Sequence, residues 1–167
     1  MSAKYHNMLQ GSEEWYSIRS GLVTASQLNL LLTPTLKIAK NDKVRAHAFE
    51  IAAQRENAFI EESFQTWQME RGHIEEVIAR DIYSDKLEKV EETGFITNDS
   101  FGFTLGYSPD GLVGDDGLIE IKSRIQKFQI KTIVSDQVPS EYMLQCQAGL
   151  LITGRKWLDF ISYSNGM

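Results

Sequence analysis

Two carboxylates and an amine stand close together in Ser108-Pro109-Asp110, nine intervening residues, then Glu120-Ile121-Lys122. Residues two apart on a strand share a face, so Glu120 and Lys122 project together if 118–123 is a strand. In a hairpin between 101–108 and 118–123, Asp110 joins that face only when the turn is centred on a residue such as Asp115. That demands an odd-numbered loop or a bulge, which Gly114 and Gly117 make available. A two-residue turn at Asp115-Asp116 would send Asp110 to the other face. On one rim, the three groups suit metal-assisted hydrolysis of a phosphodiester. Mg²⁺ prefers carboxylate, carbonyl and water oxygens, so Asp110, Glu120 and the carbonyl of Ile121 are candidate ligands. The ion would acidify a water and neutralise phosphate charge, while Lys122 orients that water and offsets charge in the transition state. The competing reading is a surface turn with Glu120 and Lys122 as a solvated pair.

Other residue types extend the pattern. Arg19 precedes a helix start at Thr24 or Ser26, where N–H groups, a hydroxyl and a guanidinium together favour an anion. An arginine paired with a carboxylate of the helix in the 60s, beside a simple cap, is the bland alternative. Gln145 shares a helix face with Tyr142, Gly149 and Ile152, and a polar amide there needs a partner if buried. Gly72, Glu76, Ala79 and Tyr83 lie near one helical stripe. Cys146 reads as a small core residue, and Trp15, Trp67 and Trp157 as core rather than base-stacking groups.

These residues need elements to hold them. Thr24 or Ser26 caps a helix through 27–32, and 35–42 is a loop. Asp42 caps a long helix through 44–64. A second helix over 66–86 carries Ile74, Val77, Ile78 and Ile82 at helical spacing. Strands are predicted at 94–97, 101–108 (Phe103, Leu105 and Tyr107 on one face), 118–123 and 157–163, with a helix at 140–153. The fold class is α/β (α+β): one small mixed sheet flanked by helices, in a single domain.

The chain has 167 residues, 42% hydrophobic and 24% charged, which sets aside disordered and fibrous classes. No stretch approaches a membrane span and no signal peptide is legible, so no membrane role is expected. One cysteine and three histidines exclude a disulfide scaffold and thiolate clusters, and a reducing, cytoplasmic compartment is expected. The net charge of −6 argues against a protein that coats nucleic acid non-specifically. Charge is uneven, however. Residues 61–99 hold 11 acids and 4 bases, whereas Lys122, Arg124, Lys127 and Lys131 form a basic strip without an acid. On charge alone that strip reads as a solvated face.

Pro109-Asp110…Glu120-Ile121-Lys122 resembles the signature of the PD-(D/E)XK nuclease superfamily. Three further blocks narrow the resemblance to its lambda-exonuclease-like branch, the YqaJ-type viral recombinases. They are Trp15-x-x-x-Arg19-x-Gly21-x-x-Thr24-Ala25-Ser26, Gly72-x-x-x-Glu76-x-x-Ala79 and Tyr142-Met143-x-Gln145-x-Gln147; Gly106-Tyr107-Ser108-Pro109-Asp110-Gly111 extends the signature itself. The blocks stand in order from about residue 10 to 163, and jointly they are far more specific than any one.

The resemblance implies a restriction-endonuclease-like core and a Mg²⁺-dependent exonuclease, with Mn²⁺ as substitute, acting on linear duplex DNA from the 5′ end in phage-type recombination. It implies that Glu76 helps bind metal and that Gln145 stands at the catalytic centre. It also implies that Arg19, Ser26 and Ser108 receive the terminal 5′-phosphate. A further basic residue against the DNA backbone falls among Arg124, Lys127 and Lys131. Implied partners are duplex ends, a single-strand annealing protein and further copies of the chain in a homo-oligomer. Relatives usually continue past the position of Met167 into another strand and a C-terminal helix. The alternatives are an endonuclease of the same superfamily and a non-catalytic DNA-binding module. A binding module has no chemical need for Asp110, Glu120 and Lys122 together, and the single cysteine excludes the branch that carries an iron–sulfur cluster.

Overall fold

The computed structural model describes residues 3–33, 35–61 and 66–166. It begins with β1 (Lys4–His6), α1 (Glu13–Arg19), β2 (Val23–Thr24), a 3₁₀ turn (Ala25–Gln27), α2 (Leu28–Leu31) and α3 (Asp42–Asn57). Next come α4 (Trp67–Lys86), β3 (Val90–Glu91), β4 (Phe95–Asn98), β5 (Leu105–Tyr107) and β6 (Gly111–Val113). The chain continues through β7 (Gly117–Ser123), α5 (Gln126–Ser135), α6 (Ser140–Thr153) and β8 (Trp157–Tyr163). The mixed α/β class is as expected, but the described strands form two sheets, ordered β1-β4-β5-β2 and β3-β6-β7-β8. Each contains parallel and antiparallel pairs.

The break between the sheets falls at Ser108-Pro109-Asp110. Proline has no N–H for a ladder, so a strand arriving from β5 cannot continue through it as a central strand. The predicted strand over 101–108 therefore shrinks to Leu105–Tyr107, and Phe103 is exposed instead of sharing a face with Leu105. The predicted hairpin partner changes too. β5 pairs with β4 and β2, and it is β6 that folds back on β7. Gly111 faces Ile119 and Val113 faces Gly117, which centres the turn on Asp115; Gly114 takes the left-handed conformation there at φ 49°.

Strand β7 is the core of the second sheet, buried from Gly117 through Ile121. Ile119 and Ile121 pack with Ala79, Tyr83 and Val113 on the α4 side. Leu118 packs with Tyr107, Ala148 and Ile152 on the α6 side. The parallel β7–β8 pair needs a long crossover, which α5 and α6 supply.

Helix α4 stands where periodicity put it, capped by Thr66, but turned about its axis. Ile74, Val77, Ile78 and Ile82 are exposed, and Glu75, Ala79 and Tyr83 are buried. Ala79 lets the helix approach β7 closely. The Tyr83 hydroxyl donates to Asp159 (2.7 Å) and Glu75 accepts from Ser123 (2.5 Å), so polar contacts fasten both ends of that face. Helix α3 is capped by Asn41 rather than Asp42 and ends at Asn57, where Ala58 turns left-handed at φ 53°. Of the rest of its predicted span, 58–61 is not helical and 62–64 lies outside the described residues. Trp67 is 68% exposed, against the expectation of a core position; Cys146 is buried, as expected. Among the described residues no helix is long and apolar enough to cross a membrane.

Candidate active site

Continuing the β6–β7 register sets Asp110 opposite Glu120 and Pro109 opposite Ile121. Pro109 has no N–H to offer, and its carbonyl accepts from the Gln10 side chain (2.9 Å). The Ile121 N–H donates to the Asp110 carboxylate (2.5 Å), which occupies the place a ladder partner would take. The proline thus ends one sheet, and the aspartate ties the next to the strand that carries Glu120.

Glu120 is 1% exposed and bonded on both oxygens. Its Oε2 accepts from the Tyr107 hydroxyl (2.7 Å), and its Oε1 accepts from Lys122 Nζ (2.5 Å) and Gln145 Nε2 (2.5 Å). Gln145 therefore has the partner a buried amide requires. One turn along α6, Gly149 makes room for the Tyr107 ring: a Cβ there would sit 2.8 Å from it. Burial pushes the Asp110 carboxyl well above the usual range, helped by the charges of Glu120 and Glu76; Lys122 and the Ile121 N–H oppose that only in part. Desolvation disfavours the Lys122 ammonium, but Glu120 and Asp110 outweigh it and raise its pKa, so it stays protonated at neutral pH. Burial, then Glu120, raise the Tyr107 phenol well above its normal value and the Cys146 thiol to about 11, so both stay neutral.

Glu76 lines a cavity of about 610 Å³ together with Asp110, Gln10, Trp15, Tyr16 and His73. Its carboxylate pairs with Arg80 (2.7 Å) one turn along the helix. Among the described residues no three His, Cys, Asp or Glu side chains are gathered for a metal ion. The available donors are Asp110, Glu120 and the Ile121 carbonyl, with Glu76 further out. That small oxygen set suits Mg²⁺, which keeps several waters. The fit has a physical sign: Asp110 is half-buried at the cavity wall beside another carboxylate, where its own ionisation is disfavoured, and a dication relieves that.

Arg19 ends α1, and the expected helix start follows it, with Thr24 at the N-cap of the 3₁₀ turn that leads into α2. Its guanidinium lies 3.8 Å over the Trp15 ring and reaches Ser108 Oγ at 3.4 Å, while Trp15 Nε1 donates to the same oxygen (2.9 Å). Burial pulls the Arg19 pKa down to about 10, so it remains a cation at neutral pH. Among the described residues it forms no ion pair. The parallel β2–β5 register pairs Thr24 with Gly106, so Ser26 and Ser108 each follow two residues beyond one pair. Ser26 is exposed and hydrogen-bonds with Thr24 (3.2 Å); no described hydrogen bond joins it to Arg19 or Ser108.

The basic strip divides. Arg124 is 5% exposed, pairs with Glu141 (3.3 Å) and lies against the rings of Phe128 and Tyr142. It clamps α5 to α6 and is withdrawn from any backbone-contact role; Lys127 and Lys131 stay exposed on α5. Sequence reasoning missed α1, α5 and the short strands β1, β2, β3 and β6; Tyr107 and Trp15 stood in its motifs without a part in the site, and Gln10 went unnoticed. Only Tyr107 carried a usable signal, since a tyrosine on a buried strand needs a partner for its hydroxyl.

A family model described as YqaJ-like viral recombinase domain matches residues 14–156. No curated protein matches. Six chains of solved structures do. The crystal structure of an alkaline exonuclease, LHK-Exo, from Laribacter hongkongensis is 35% identical with a TM-score of 0.81, over 93% of this chain and 76% of that one. The crystal structure of LHK-Exo in complex with dAMP is 36% identical with a TM-score of 0.82, over the same shares.

Proposed function

The chain belongs to the YqaJ-like viral recombinase family, and we propose that it is a Mg²⁺-dependent exonuclease that hydrolyses linear double-stranded DNA from the 5′ end in phage-type recombination. One observation carries this reading: the β6–β7 register sets Asp110 opposite the buried Glu120, and Lys122 bonds to the Glu120 carboxylate. Magnesium held by Asp110, Glu120 and the Ile121 carbonyl would acidify a water and neutralise charge on the phosphate. The chain's own groups do the rest. Gln145 and Tyr107 fix the Glu120 carboxylate so that it cannot swing away. Lys122, held protonated, orients the attacking water and offsets charge as the phosphate becomes more negative. Glu76, which lines the cavity with Asp110, would help hold the ion.

The 5′ preference rests on the neighbouring corner. Ser108 is two residues from Asp110, so a terminal phosphate gripped by Arg19 and Ser108 would lay the adjacent bond over the carboxylates. Ser26 would reach the same phosphate from the parallel strand. LHK-Exo, an alkaline exonuclease solved with dAMP, is the kind of relative this predicts, since an enzyme releasing single nucleotides must seat a nucleoside monophosphate.

The test is a digest of end-labelled linear duplex beside a covalently closed circle, with and without Mg²⁺. Loss of 5′ label from the linear duplex alone, only with Mg²⁺, is expected. Circles cut as fast as linear DNA would make the chain an endonuclease. DNA bound but never cut would leave only a binding module.

A further inference from the structure

The turn that follows Arg19 is held from outside. Arg19 ends α1, a helix of 7 residues of which none is buried, so its own packing does little to fix where the guanidinium starts from. The chain then reverses at once. The Leu22 N–H donates to the Arg19 carbonyl (3.1 Å), with Ser20 at φ −57°, ψ 127° and Gly21 at φ 72°, the geometry of a type II turn. Its third position calls for glycine, because a side chain is strained at that angle. The turn carries the chain from Arg19 into β2, whose partner β5 ends at Tyr107, directly before Ser108. How the turn sits therefore decides how Arg19 stands to Ser108.

The two central residues of the turn are gripped by the last turns of α3. Gln54 Oε1 accepts from the Gly21 N–H (3.0 Å), and the Gln54 backbone carbonyl accepts from the Ser20 hydroxyl (3.1 Å). Arg55 Nε donates to the Gly21 carbonyl (2.8 Å). Both backbone polar groups of Gly21 are thus taken by adjacent residues of one helix. The approach is close, since a Cβ on Gly21 would lie 2.5 Å from Arg55 Cγ. Gln54 is half-buried and Arg55 exposed, so neither is placed there to fill the core. The carboxylate cluster is served by other elements: among the described residues Asp110, Glu120 and Lys122 bond with one another's strand, Tyr107 and Gln145, and with nothing on α3.

We propose that Gln54 and Arg55 are positioning residues for recognition of the DNA end: by clamping the Arg19–Leu22 turn they set the Arg19 guanidinium beside Ser108. The inference rests on the reading of that corner as the seat of the terminal 5′-phosphate. A guanidinium grips a phosphate at two points only from the right place, and a long side chain on a fixed backbone has less freedom left to lose on binding. Helix α3 acts on the choice of substrate and not on the chemistry.

The experiment uses neutral variants, because removing the Arg55 charge would by itself weaken attraction for DNA. Gln54→Met keeps the length and helix propensity of the side chain and removes the acceptor for Gly21. Ser20→Ala removes the hydroxyl alone. The ratio of kcat/KM on 5′-phosphorylated to that on 5′-hydroxyl linear duplex is measured for the wild type, each variant, Arg19→Ala, and Arg19→Ala combined with Gln54→Met. Gln54→Met should cut the preference for phosphate about fivefold, as for one neutral hydrogen bond, with the rate on hydroxyl ends unchanged. Ser20→Ala should cut it roughly twofold, at the low end of the same range. In the Arg19→Ala background Gln54→Met should change nothing further, since its effect passes through Arg19. A loss shared equally by both substrates would make the clamp merely structural and overturn the proposal, as would a preference that falls again on top of Arg19→Ala. The underlying reading fails in its own way. A wild type indifferent to the 5′-phosphate defeats the corner and the clamp with it, whereas a preference lost in Arg19→Ala and kept in Gln54→Met defeats the clamp alone.

Discussion

The carboxylate cluster on β6 and β7 and the arginine corner on α1 and β5 meet at Ser108-Pro109-Asp110, yet they are built in opposite ways. At the cluster each carboxylate is already tied to the protein. Glu120 accepts three hydrogen bonds from β5, β7 and α6, and Asp110 is tied to the strand backbone. At the corner Arg19 rests on an aromatic face and makes a single long hydrogen bond, at 3.4 Å, among the described residues. A guanidinium has five N–H donors, so most of its capacity stays open for a ligand. A group that polarises a bond must not move, whereas a group that recognises an incoming phosphate must keep donors unspent.

If that contrast holds, the severest loss comes from the most committed group. Glu120→Gln keeps the shape of the side chain. Its oxygen can still accept from Lys122 and Gln145, and its amide can face the Tyr107 hydroxyl. Folding should survive while cleavage falls by on the order of 10³ or more, because a ligand charge is gone. Full activity in this variant, read in a linear-duplex digest, would end the metal reading. Lys122→Ala comes next, with turnover of bound DNA down roughly 10²–10³ and affinity nearly unchanged. Single-turnover rates and binding measured on one substrate separate the two. Weaker binding with unchanged turnover would demote Lys122 to a backbone contact.

Tyr107→Phe tests commitment without touching a proposed ligand. The ring still packs on Gly149, but one carboxylate oxygen of Glu120 loses its donor. Loss of such an orienting bond typically costs roughly 10–100-fold in metal affinity, so Mg²⁺ titration of activity should shift by that much at an unchanged maximal rate. Asp110 offers a test by pH. Its folded pKa is raised, so the stability it contributes is fully present below the unfolded pKa and is lost as pH rises through the folded value. Mg²⁺ should restore what ionisation takes away. The rise in Tm on adding Mg²⁺, roughly 5–10 °C at a hundred times Kd, should therefore grow with pH and flatten in Asp110→Asn. A rise that is the same at every pH would show that Asp110 does not face the ion.

The difference in build also explains what could be read from the sequence. The cluster lies on strands, where alternation is local arithmetic: Glu120 and Lys122 had to share a face, and the place of Asp110 came down to whether the turn is centred on Asp115, which the structure answers. The strand break at Pro109 was equally local, but its consequence, the transfer of β5 to another sheet, depends on pairings far along the chain. Helix α4 shows the limit from the other side. Its period was legible and its phase was not, because the buried face is chosen by the Tyr83–Asp159 and Glu75–Ser123 bonds rather than by the most apolar stripe. Arg124 fails for a like reason, since nothing in a run of bases distinguishes the one that a distant Glu141 draws inward.

The smallest expected effect belongs to Arg19, and it is the one that decides direction. A terminal 5′-phosphate differs from an internal phosphodiester by extra charge and a free oxygen, and only an open cation can register that difference. Because Arg19 touches no carboxylate of the cluster, Arg19→Ala should leave the Mg²⁺ response and the chemistry of bound DNA intact. Removing its donors should instead shrink the preference for 5′-phosphorylated over 5′-hydroxyl linear duplex, by roughly tenfold for one charge-assisted bond. The Trp15 ring then loses its cation, but its Nε1 still holds Ser108, so the corner keeps its shape. Paired rates on the two substrates, for wild type and variant at one Mg²⁺ concentration, measure the effect. A preference that survives the substitution would place recognition of the end elsewhere, at the α5 lysines, and the contrast between a committed cluster and an open corner would lose its functional meaning.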